Sequence, residues 1–257
     1  MGKIVAVTNQ KGGVGKTTTA ANLSALVGSL GNKVLIVDID PQGNATSGLG
    51  AEAGENSVYE ALMGRIAMSA AIQHTDWPRL DIAGGDIRLA GGEVELVSAP
   101  QRETRLRQVL MAIRDRYDFI FVDCPPSLGL LTLNALTAAD SALIPIQCEY
   151  YALEGLSSLM NTMRRVQHSF NPKLQIEGIL LTMMDGRTRL SSQVAEEVKR
   201  HFGRQVYGVT IPRSVRLGEA PSHGEPIHVY DPKSAGALAY GVLAREFLTR
   251  NGVTIRK

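Results

Sequence analysis

Residues 9–18, Asn9-Gln10-Lys11-Gly12-Gly13-Val14-Gly15-Lys16-Thr17-Thr18, constrain the fold more than any other stretch of the chain. The apolar run Ile4-Val5-Ala6-Val7 precedes them and reads as a buried parallel strand, and Ala20 to Leu26 follows with helical spacing. A strand that gives way to a glycine loop and then to a helix is the setting a phosphate loop needs. Gly12, Gly13 and Gly15 carry no Cβ, so the backbone can reach positive φ and turn a row of N–H groups toward an anion. A helix starting near Lys16 adds unpaired N–H groups and the positive end of its dipole. Lys16 offers a mobile cation to the β and γ phosphates, and the Thr17 hydroxyl is placed to ligate magnesium. The bland alternative is a glycine turn with a solvated lysine, and the strand-loop-helix context argues against it.

One detail departs from the general pattern G-x-x-x-x-G-K-[ST]. Its first glycine falls at position 10, which here is Gln10, and Lys11 follows, so a second lysine stands in the loop. Downstream, Lys33-Val34-Leu35-Ile36-Val37-Asp38 reads as a second buried strand, broken by Pro41 and Gly43. Asp38 and Asp40 therefore lie at a carboxyl edge, where open α/β sheets bind ligands. Two apart, they are expected to share a face, with one carboxylate toward the γ-phosphate and its water. The alternative for each is a strand-end carboxylate that caps the next turn. Phe119-Ile120-Phe121-Val122-Asp123 has the Walker B form, with Asp123 facing a magnesium-bound water opposite Thr17.

The remaining pattern predicts short helices over 58–63 and 68–72, a strand over 80–83 and an amphipathic helix over 103–116. Strands over 141–146 and 176–182 and helices over 156–166, 191–202 and 234–248 follow. This alternation implies an α/β fold, a mostly parallel central sheet with helices on both faces. Residues 47–100 are punctuated by glycines and yield no chemistry, and Trp77 reads as packing.

The 257 residues, 44% hydrophobic and 20% charged, suffice for a large core in a single domain over 1–257. No apolar run approaches the length of a membrane span, and the first strand starts too early to leave room for a signal peptide. Ala6 stands where a myristoylation signal wants Ser or Thr. A cytoplasmic protein is expected. Cys124 and Cys148 lack metal-ligand spacing and are expected as buried structural thiols at strand ends. Residues 1–160 carry 12 basic and 17 acidic side chains, whereas residues 161–257 carry 15 and 8. A cationic C-terminal part points to an anionic partner besides the nucleotide, although solvated helix faces are often basic too.

Lys11-Gly12-Gly13-Val14-Gly15-Lys16-Thr17 resembles the deviant phosphate loop of the ParA/MinD class of ATPases. Asp38-Ile39-Asp40-Pro41-Gln42-Gly43-Asn44 matches the ParA-type motif residue for residue, and the stretches 147–155 and 209–222 also resemble ParA/Soj proteins. With these motifs in order from Lys3 to about Phe247, the chain is identified as a member of the short, Soj-type branch of chromosome-partitioning ATPases, without an N-terminal helix-turn-helix extension. The resemblance implies ATP and Mg2+ as cofactors and Lys11, Lys16 and Asp40 as catalytic residues. Lys11 would reach across a dimer to the partner's nucleotide, though a cation beside a polyphosphate could equally serve its own site. Asp40 would orient the attacking water. Nucleotide binding would fall to Lys11, Gly12, Gly13, Val14, Gly15, Lys16, Thr17 and Thr18, with Pro212 and Arg213 at the adenine base. Ser214 stands where family members often have Asn. Thr17 and Asp123 would hold the metal.

The same resemblance implies a homodimer in the ATP state that binds double-stranded DNA nonspecifically through Arg187 and Arg216. The alternative for both arginines is a solvated or ion-paired surface role. A ParB/Spo-type centromere-binding partner would stimulate hydrolysis, and the protein would be cytoplasmic and nucleoid-associated. A MinD-like, membrane-associated regulator of cell division needs a C-terminal amphipathic helix that Asn251-Gly252-Val253-Thr254 does not supply. A nitrogenase-iron-protein-like electron donor needs cluster cysteines, which Cys124 before Pro125-Pro126 does not resemble.

Overall fold

Three mostly apolar pentapeptides, buried throughout except at Lys3, form the centre of the sheet: β1 (Lys3–Val7), β2 (Val34–Asp38) and β5 (Phe119–Asp123). The computed structural model describes residues 2–149 and 152–254. Five further strands complete the sheet, namely β3 (Ile72–His74), β4 (Leu80–Ala83), β6 (Ser141–Gln147), β7 (Gln175–Met184) and β8 (Val206–Pro212). Their order is β3-β4-β2-β5-β1-β6-β7-β8. All pairings are parallel except β3 with β4.

Eleven α-helices connect them among the described residues. They are α1 (Lys16–Ser29), α2 (Asn44–Gly48), α3 (Val58–Leu62), α4 (Arg88–Leu96), α5 (Arg105–Met111), α6 (Leu130–Ala138), α7 (Ala152–Ser169), α8 (Arg189–Phe202), α9 (Val215–Glu219), α10 (Ile227–Tyr230) and α11 (Ala235–Arg250). The pleat divides the core between the two faces. Ile4, Leu35, Ile120 and Val122 face one layer with α4, α5 and α6. Val5, Val7, Ile36 and Phe121 face the other, with α1 and α11. There Phe247 of α11 packs edge-on against Phe119, with ring centroids 5.0 Å apart.

The register is what positions the site. Val7 pairs with Asp123 and Asp38 pairs with Asp123, so the carboxyl ends of β1, β2 and β5 lie level. By the same alternation Asp38 and Asp123 share the α1 side of the sheet, beneath the start of that helix.

The predicted parallel sheet is present, with local departures. Residues 68–72 form no α-helix: a single 3₁₀ turn, Met68–Ala70, leads directly into the antiparallel edge strand β3. The helix expected over 103–116 stops at Met111. Arg114 there reaches the Gly2 carbonyl and Asp140, and the chain tightens into a 3₁₀ turn. Helices α4 and α6 were not anticipated.

Candidate functional site

Between β1 and α1 the chain makes the left-handed excursions that its glycines permit. Gly13 has φ 72° and Gly15, the N-cap of α1, has φ 84°; a side chain is strained in that region. Asn9 fixes the start of the loop by donating to the Pro145 carbonyl at 2.7 Å and accepting from the Lys11 N–H at 3.0 Å. Thr182 of β7 fixes its middle, its hydroxyl donating to the Val14 carbonyl at 2.9 Å. The Lys16 Nζ arches back over the loop to the Lys11 carbonyl at 3.0 Å. Lys16 is nearly buried, and burial pushes its pKa down, while the carboxylates of Asp123 and Asp40 act in the opposite direction.

Two carboxylates, Asp123 and Asp40, act on this cation, Asp38 lies beside Asp123, and the environments of the three differ. Asp38 is fully buried and spent on structure: its Oδ2 accepts from the Thr46 N–H and hydroxyl at 2.9 and 2.7 Å, and its Oδ1 accepts from the Asp40 N–H at 3.1 Å. The expectation that Asp38 and Asp40 share a strand face is corrected here. β2 ends at Asp38, and Asp40 lies in the turn beyond, accepting from the Gln42 N–H at 3.0 Å. Burial raises Asp38 to about 6, opposed by its bonds from Thr46. Asp123 is also fully buried, and among the described residues neither of its oxygens has a hydrogen-bond partner. Burial, then the negative charge of Asp38, raises its pKa well above the carboxylate range, while the nearby Thr17 hydroxyl and Lys16 favour the anion. An orphaned carboxylate beside a cation and a hydroxyl suits the binding of a positive ion. No cluster of three His, Cys, Asp or Glu able to hold a metal occurs among the described residues.

Beside the loop opens a cavity of about 210 Å³ whose walls include Gly15, Thr18, Thr182, Met183, Pro212 and Arg213. The ends of β7 and β8 thus bring the two residues predicted for the base into one cleft with the phosphate loop. Met183 adopts φ 50°, a left-handed conformation unusual for a residue with a side chain. Two larger hollows, about 620 and 630 Å³, lie at the opposite edge of the sheet around Lys33, Arg79 and Tyr117.

The remaining predicted residues lie outside this cluster. Lys11 points to Glu149 of its own chain at 2.9 Å, both partly exposed, and Gln147 also donates to Glu149. Tyr150 and Tyr151 of the stretch resembling ParA/Soj proteins lie outside the described residues, as does Ile255. Arg187 is 90% exposed and engages Asp185 through two nitrogens at 2.8 and 2.9 Å. Arg216 pairs with Glu219 at 2.8 Å and lies 3.4 Å from Asp231. Both thiols are buried; Cys148 is pushed up to about 11 and Cys124 higher still, so both remain protonated. Sequence reasoning missed Thr46, Thr182 and Met183: Thr46 lies on α2, eight residues from the Asp38 it satisfies, and Thr182 and Met183 lie at the end of β7, which only the fold brings to the loop.

A family model described as an AAA domain matches residues 2–176. The chain is 58% identical to the sporulation initiation inhibitor protein Soj of Bacillus subtilis, over 96% of this chain and 98% of that protein. It is 50% identical to the chromosome-partitioning ATPase Soj of Treponema pallidum, over 98% and 99%. A solved structure described as cobyrinic acid a,c-diamide synthase from Mycobacterium smegmatis, with bound ATP analogue and magnesium, superposes with a TM-score of 0.85 at 37% identity, over 98% of this chain and 96% of that one. One fold hosts several reactions, so the nearer sequence relatives decide between the names. On this agreement of loop, sheet and full-length likeness, the chain belongs to the Soj/ParA family of chromosome-partitioning ATPases.

Proposed function

We propose that this chain partitions chromosomes or plasmids through an ATP-driven homodimer that binds DNA without sequence preference. The observation that carries the reading is Asp123, a buried carboxylate with no partner among the described residues, set beneath Lys16 and level with the phosphate loop. Loop amides from Gly12 to Thr18 and the Lys16 ammonium hold the triphosphate; Pro212 and Arg213 meet the adenine. Thr17 and Asp123 hold Mg2+, which when bound offsets phosphate charge. Asp40 orients the attacking water, so the protein's contribution is positioning and fixed electrostatics. Lys11 leaves Glu149 and reaches the nucleotide of a second copy, an exchange that requires two-fold symmetry. Arg187 and Arg216, released from Asp185 and Glu219, donate to DNA phosphates and associate the protein with the nucleoid. A ParB-type centromere-binding partner accelerates hydrolysis and ends the association.

The test is DNA retention with ATP, ADP or no nucleotide, for wild type and Asp40→Ala. Asp40→Ala is expected to lose turnover and stay on DNA with ATP. Wild-type turnover in that variant removes Asp40 from its role, and retention indifferent to nucleotide overturns the coupling. ATP-dependent cosedimentation with liposomes and not with DNA would transfer the chain to the membrane-acting branch.

A further inference from the structure

The turn Cys124-Pro125-Pro126-Ser127-Leu128-Gly129 joins Asp123 to α6, and it lies against the phosphate loop: a Cβ built on Gly12 would stand 3.8 Å from the Pro126 Cβ. Its beginning is tied to β1 by the Cys124 N–H, which donates to the Val7 carbonyl at 3.2 Å. Its far end has no cap of its own, because the N-cap of α6 is Gly129. The cap comes from another element. Glu93 of α4 accepts from the Leu130 N–H at 2.6 Å and, more weakly, from the Leu131 N–H at 3.4 Å. A carboxylate there meets two of the helix's unpaired donors and its positive end. Gly129 makes room for it, since a Cβ at that position would collide with Glu93 Oε1. The helix that carries Glu93 is itself fixed: Leu89 and Leu96 are buried, and a Cβ on Gly92 would come 2.9 Å from the Tyr59 ring.

We infer that Glu93 is a positioning residue for ATP hydrolysis, fastening the far end of the turn whose near end bears Asp123, so that the turn keeps a fixed place beside the phosphate loop. The inference rests on the proposed reading of Asp123 and the loop, and it adds a residue from a region to which the sequence assigned no chemistry.

The experiment compares wild type, Glu93→Gln, Glu93→Ala and Gly129→Ala in steady-state ATP hydrolysis, Mg-ATP binding and hydrogen–deuterium exchange over residues 124–131. Glu93→Ala is expected to lose about fivefold in kcat, the equivalent of one lost cap, with KM and Kd within about twofold. Exchange at Leu130 and Leu131 should quicken in the same variant. Glu93→Gln, which keeps an acceptor oxygen, should return kcat to within about twofold of wild type. Gly129→Ala attacks the same contact from the other side and should reproduce the alanine pattern. If Glu93→Ala lowers only the melting temperature and leaves kcat unchanged, Glu93 is a structural cap and the inference falls; it falls equally if Gln and Ala are alike. Should the wild type not hydrolyse ATP, the proposed function fails instead, and unchanged exchange at Leu130 and Leu131 would then overturn the role of Glu93 by itself.

Discussion

Asp38 and Asp123 sit opposite each other across β2 and β5, both fully buried; burial opposes ionising either, helped at Asp123 by the charge of Asp38 and at Asp38 by that of Asp40. A carboxyl whose folded pKa is raised contributes stability that is complete below its unfolded value and lost as pH rises through the folded value. For Asp38 the window runs from 3.8 to about 6. Wild type is therefore expected to lose on the order of 1–3 kcal/mol relative to Asp38→Asn between those limits, read from urea unfolding at a series of pH values. The Lys11–Glu149 pair predicts the opposite kind of result. Its side chains are 37% and 46% exposed, so Glu149→Gln should change unfolding free energy by no more than about 0.5 kcal/mol. Lys16, Thr17 and Asp123 were legible because a loop and a strand written in consecutive letters define them. The fate of Asp38 was not, since Thr46 satisfies it from eight residues away.

Among the elements, β7 links the phosphate loop to the cleft predicted for the base. Thr182→Val keeps the shape of the side chain but leaves the Val14 carbonyl without its donor; a loss of about 1 kcal/mol in stability and weaker nucleotide binding are expected from urea titration and calorimetry. Gly178 of the same strand lies against the Tyr207 ring, so Gly178→Ala should cost roughly 1–3 kcal/mol by overpacking, measured in the same titration. The central strands could be read from sequence because parallel strands buried on both faces are continuous apolar runs. Helix α6 could not: seven of its nine residues, Leu131, Thr132 and Asn134–Ala138, are buried, so no polar face marks its period. Strand β3 is three residues long, too short for alternation to show.

At the scale of the whole molecule, the basic C-terminal part of the chain keeps its two singled-out arginines on the surface, each already bonded to a carboxylate. If they meet phosphates, reversing both charges should weaken DNA retention at low salt. The slope of log affinity against log salt should also flatten, by roughly 0.9 for each phosphate the variant no longer neutralises. No described helix is long and apolar enough to cross a membrane. The bond from Thr182 to Val14 has a further consequence, because Thr182 and the adjoining Met183 also wall the cleft predicted for the base. A ligand cut in two should reveal it: adenosine and tripolyphosphate, offered together, ought to help each other onto the protein, each fragment meeting a backbone the other has already stilled.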